Sequence, residues 1–74
     1  MSQKDYSELQ QRFGAHLQKI RAQKGLSLRK LAVKCDLDDS YISKIENGKF
    51  NIQLSSLIEL AKGLEIDPKD LLDF

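Results

Sequence analysis

Residues 28–49, LRKLAVKCDLDDSYISKIENGK, constrain this chain more than any other stretch. Leu28, Leu31, Ala32 and Cys35 recur at helical spacing, and so do Ile42 and Ile45. With Asp38 placed to cap the later helix, only Asp36, Leu37 and Asp38 stand between the two helices. That gap has room for a tight turn and nothing else. Two short amphipathic helices, each with one apolar stripe, must therefore share a core with other elements of the chain.

The flanks supply those elements, again with helical periodicity and no strand pattern. Leu9, Phe13, Leu17 and Ile20 mark a first helix that Gly25 ends after Lys24. Ser27 is placed to cap the second helix, Asp36 to end it in a left-handed turn, and Asp38 to cap the third. Gly48 closes the third helix, and 49–53 form a loop. Leu54, Leu57, Ile58, Ala61 and Leu64 mark a fourth helix. Asp67-Pro68 opens a fifth, with Leu71, Leu72 and Phe74 on its apolar side. The expectation is an all-α, compact five-helix bundle over 7–74, preceded by a flexible segment at 1–6.

A chain of 74 residues forms one domain with a marginal core, so close helix packing or a partner subunit is expected to help it. The lone Cys35 excludes an internal disulfide and a tetrahedral cysteine metal site, and reads as a small buried hydrophobe. No apolar run reaches a membrane span and no signal peptide is visible, so a soluble, cytoplasmic protein without membrane contact is expected. No clustered His, Cys or carboxylate set and no phosphate-cradling glycine loop occurs, which argues against an enzyme, a metal site or a bound cofactor. His16 reads as an ordinary surface histidine.

Charge is unevenly spread. The formal net charge is +1, but 12–49 carry +5, 50–74 carry −3 and 1–11 carry −1. A basic face on a nearly neutral chain suits a polyanion partner, although well-solvated helices give the same pattern.

Helix, short turn, helix is the layout of a helix-turn-helix. On a helical wheel, Asp39, Ser40, Ser43, Lys44 and Asn47 share one arc of the third helix. Ile42 and Ile45 lie opposite, with Tyr41 and Glu46 on the shoulders. The outer arc is short and polar, which lets a helix sit deep in a major groove.

Residues 20–51, IRAQKGLSLRKLAVKCDLDDSYISKIENGKFN, and then LSSLIELAKGLEIDPKDLL resemble the helix-turn-helix domain of the phage repressor and Cro type, the Xre family. The likeness covers roughly 13–72. Leu26-Ser27, Leu31-Ala32, Ser40 to Ser43, Ile45-Glu46 with Gly48, Leu57 with Leu60-Ala61, and Asp67-Pro68 with Leu71 carry it. It implies a lambda-repressor-like DNA-binding domain and a transcription regulator that acts as a homodimer on double-stranded DNA.

By that resemblance, base contacts fall on Asp39, Ser40, Ser43 and Lys44, and phosphate contacts on Ser27, Arg29, Tyr41, Lys49 and Asn51. It also implies an ion pair between Arg21 and Glu46. The chain departs from the family at Asp36, where glycine is usual, at Cys35, and at Ile52, where proline is common. At Leu28 a phosphate-reaching glutamine is usual, leaving Arg29 as its replacement.

Three alternatives stay open at this level. Asp39 either accepts a hydrogen bond from cytosine or only favours the positive helix end. Tyr41 either touches phosphate or is half core. Leu71, Leu72 and Phe74 either form a dimer surface or close the monomer's own core. A different class of function is also open on the same fold: a small antitoxin-like or adaptor module whose main partner is a protein.

Overall fold

The computed structural model describes residues 5–74, and five helices in this region make one bundle without a strand among the described residues. They are α1 (Ser7–Gln23), α2 (Leu28–Cys35), α3 (Asp39–Glu46), α4 (Leu54–Leu64) and α5 (Pro68–Leu71). Residues 1–4 of the segment expected to be flexible lie outside the described region. Asp5 does have a role: its carboxylate accepts the Ser7 N–H at 2.9 Å at the start of α1, a bond that holds its pKa below the usual value.

Local chemistry sets the helix ends. The Ser27 hydroxyl accepts the Lys30 N–H at 3.1 Å, and Asp67 accepts the Lys69 N–H at 3.1 Å just before Pro68. Gly25 takes a left-handed conformation with φ of 69° after α1. Asp36 ends α2 in the same region, with φ 57° and ψ 36°. Asp38 occupies the capping position of α3 with extended dihedrals, but its side chain makes no capping bond. Its expected role thus reduces to a favourable charge near the helix N-terminus.

The left-handed region disfavours a Cβ, and aspartate tolerates it only better than most. Asp36→Gly is therefore expected to raise stability by about 0.5–1 kcal/mol and the melting temperature by a few degrees. Thermal denaturation followed by circular dichroism measures this. A fall would mean that the Asp36 carboxylate contributes more than its backbone costs.

Packing follows the apolar stripes. α2 lies on α4 and α3, α3 on α1, and the short α5 bridges α4 and α1. Phe13, Leu17, Leu31, Cys35, Ile42, Ile45, Leu57, Leu60, Ala61, Leu64 and Leu71 form the core. Two glycines bring helices close. A Cβ at Gly63 would stand 2.8 Å from the Cys35 Cβ, and one at Gly14 would strike the α3 backbone. Burial pushes the Cys35 thiol pKa up, consistent with the expected packing role.

The stripes extend further than the core does. Leu9 is 47% exposed and Leu54 is 74% exposed, although both carry the helical spacing of core residues. Ile58 is also partly exposed. α5 stops at Leu71, so Leu72 and Phe74 follow the helix rather than line it.

Candidate nucleic-acid interface

α3 is held by its inner side. Ile42 and Ile45 are completely buried, which turns the opposite arc outward. Ser40, Lys44 and Asn47 are exposed there, and Asp39 and Ser43 are half-buried. The four residues expected to read bases therefore share one accessible strip. Asn47 folds back on its own helix, its Nδ2 donating to the Ser43 carbonyl at 2.8 Å.

The residues expected at phosphates divide into two groups. Arg29, Lys49 and Asn51 are exposed, on α2 and in the loop after α3. Ser27 is exposed too; its oxygen is engaged as the α2 cap, and its hydroxyl proton remains free to donate. Tyr41 has the half-buried position of its core reading. Its hydroxyl sits 3.1 Å from the hydroxyl of buried Ser56 of α4. Its ring lies 5.6 Å from that of Phe50.

Arg21 and Glu46 meet as the resemblance implied. Arg21 Nε donates to Glu46 Oε2 at 2.6 Å and the second nitrogen, Nη2, to Oε1 at 3.0 Å. The remaining nitrogen, Nη1, donates to the Leu26 carbonyl at 2.8 Å. The pair thus ties the end of α3 to α1 and to the link before α2. The hydrogen bond to Glu46 holds the guanidinium pKa above its ordinary value despite partial burial.

The C-terminal trio separates. Leu71 is fully buried against the core, so it is not available to a partner, and the expectation of a dimer surface there is corrected. Leu72 and Phe74 remain exposed. With Leu9, Phe13, Phe50 and Ile52 they line an apolar groove of about 130 Å³, rimmed by Gln10 and Asn51. Phe74 packs edge-on to Phe13, with Arg12 over its ring. His16 is more than a surface residue, since its Nε2 is 2.8 Å from the Asp70 carbonyl and so joins α1 to α5.

Sequence reasoning missed three contributors to this face. Phe50 and Ser56 contact Tyr41 from outside its helix, and no periodicity marks such pairs. Gly14 is the third: the α3 backbone stands where its Cβ would be, a closeness that helical spacing does not mark.

Charge and shape fit a polyanion: a polar strip on α3, flanked by Arg29, Lys49 and Asn51, with no group of three or more His, Cys, Asp or Glu able to hold a metal among the described residues. No described helix is long and apolar enough to cross a membrane.

The comparisons agree with this geometry. The helix-turn-helix family HTH_3 matches residues 17–71. Control protein C.BamHI from Bacillus amyloliquefaciens is 46% identical over 63 residues, spanning 84% of this chain and 78% of that protein. Control protein C.MunI from a Mycoplasma species is 41% identical over 66 residues, spanning 88% and 89%. The crystal structure of the restriction-modification controller protein C.AhdI from Aeromonas hydrophila superposes with a TM-score of 0.88 at 37% identity, covering 92% of this chain and 99% of that one. With the family match covering 17–71 of the 74 residues, the chain belongs to the Xre-type helix-turn-helix family of DNA-binding regulators.

Proposed function

We propose that this protein is a sequence-specific regulator of transcription that binds double-stranded DNA as a homodimer, with α3 in the major groove of each half of a palindromic operator. The observation that carries this reading is the α3 strip: Asp39, Ser40, Ser43 and Lys44 face outward from a helix anchored by buried Ile42 and Ile45. Small serines admit the helix to the groove, Lys44 suits guanine or a phosphate, and Asp39 suits the cytosine amino group. Ser27, Arg29, Tyr41, Lys49 and Asn51 would set the register on the backbone. Two recognition helices about 34 Å apart would then read the half-sites.

The dimer surface is assigned to Leu72 and Phe74 together with Leu9 and Phe50. These four large apolar side chains are left exposed around one groove. Similarity to C.BamHI and C.AhdI, whose names are those of control and restriction-modification controller proteins, supports a role in controlling the genes of such a system.

The test is binding to duplex DNA from just upstream of the protein's own gene, against scrambled duplex, across a salt series. Preference for the upstream duplex is expected, with affinity falling steeply as salt rises. The slope of log K against log salt should be about −4 if Arg29 and Lys49 of each protomer neutralise phosphates, and about −5 if Lys44 does so too. A folded protein that binds neither duplex at low salt would refute the reading and favour a protein partner instead.

A further inference from the structure

Phe50 is a large aromatic residue, 40% exposed, in a short loop between two residues assigned to the DNA backbone, Lys49 and Asn51. Solvation gives no reason for a ring there, but its contacts do. The Lys44 ammonium lies over its face, 5.7 Å from the centroid. Tyr41 stacks on it at 5.6 Å with the planes tilted by 41°. The Tyr41 hydroxyl is in turn 3.1 Å from Ser56 of α4, which is buried. A continuous chain, Ser56–Tyr41–Phe50–Lys44, thus runs from the core of the bundle to the tip of a recognition side chain.

A free lysine has many rotamers to lose when it binds, and that loss weakens binding. A ring that attracts the ammonium beforehand removes part of it. We propose that Phe50 is a positioning residue for DNA recognition, whose ring, braced by Tyr41, presents Lys44 to the DNA without itself contacting a base or a phosphate. This rests on the DNA-binding reading above.

The test replaces the ring and keeps the apolar wall that Phe50 gives the groove. Phe50→Leu should bind the preferred duplex about three- to fivefold more weakly, with the salt slope unchanged. Phe50→Tyr, which keeps the aromatic face, should restore binding. In a Lys44→Met background the Phe50→Leu change should cost less than twofold, because its effect passes through Lys44. In the free protein, ring-current shielding of the Lys44 ε-methylene protons by NMR should be present with Phe or Tyr at position 50 and absent with Leu. Because Phe50 also lines the groove assigned to the dimer, sedimentation of each variant is read beside binding: unchanged association with weaker binding is expected, and a loss of binding that matches a loss of dimer overturns the proposal.

Unchanged binding by Phe50→Leu, or an undiminished loss in the Lys44→Met background, overturns the proposal and leaves the DNA-binding reading intact. Failure of the unaltered protein to bind any duplex overturns both.

Discussion

Gly14→Ala is expected to lower stability by about 3 kcal/mol, although helix propensity alone argues for the opposite sign. Alanine in place of glycine inside an exposed helix gains about 1 kcal/mol. At this position the added Cβ would meet the carbonyl oxygen of Ile45, the carbonyl oxygen of Glu46 at 2.5 Å and its carbonyl carbon at 2.7 Å. These are backbone atoms of α3 and cannot swing aside as a side-chain tip could. Relief requires α1 and α3 to separate, which loosens the buried contacts of Phe13, Leu17, Ile42 and Ile45 along the same seam. Overpacking of this kind costs roughly 1–3 kcal/mol, and a rigid neighbour places it at the upper end or beyond.

The whole domain holds only about 4–11 kcal/mol. A loss of about 3 kcal/mol should lower the melting temperature by more than about 10 °C. Urea denaturation followed by circular dichroism reads the loss directly. A midpoint equal to or above that of the unaltered protein would show that α1 and α3 are not in backbone contact at Gly14. DNA affinity should fall as well, below the melting range, because α1 is the shelf on which the recognition helix rests.

The contrast between Gly14 and Ser27 shows which parts of this fold were legible in the sequence. A cap is a bargain among neighbours in the chain, so Ser27, Asp36 and Asp67-Pro68 announced helix ends that the structure bears out. The stripes were legible for the same reason: helical spacing alone placed Phe13, Leu17, Leu31, Ile42 and Ile45 inside. What periodicity cannot report is whether another element stands opposite. Leu9 and Leu54 carry the spacing of core residues, yet both stay exposed near the starts of their helices. Leu71 and Leu72 are adjacent leucines with opposite fates, decided by where a four-residue helix stops.

The site divides in the same way. The outward strip of α3 followed from the wheel, since burying Ile42 and Ile45 leaves no other orientation for Ser40 and Lys44. Which residues brace that strip did not, because Phe50, Ser56 and Gly14 reach it from a loop and two other helices.

Removing either partner of the Arg21–Glu46 pair is expected to cost about 3–5 kcal/mol, as for other buried ion pairs. Glu46 is 5% exposed and Arg21 14%, so Glu46→Ala would leave a guanidinium poorly solvated, with only the Leu26 carbonyl for a partner. Arg21→Met would leave the Glu46 carboxylate buried without its cation. The guanidinium keeps its charge through the whole working pH range, since its pKa is raised by the pair, so pH does not break the interaction from that side. The double variant Arg21→Met/Glu46→Leu separates two roles. If the pair only satisfies itself, the apolar replacement should restore stability to within about 1 kcal/mol of the unaltered protein and restore DNA binding with it. If the pair also fixes the angle at which α3 leaves α1, stability should return while affinity for the preferred duplex stays well below the unaltered value. The second outcome is the expected one. Two parallel N–H···O bonds at 2.6 and 3.0 Å fix orientation, whereas Met against Leu fixes only proximity. Urea denaturation and duplex binding on the same four proteins decide it. Full recovery of both would show that close packing at Gly14 is enough to aim the recognition helix.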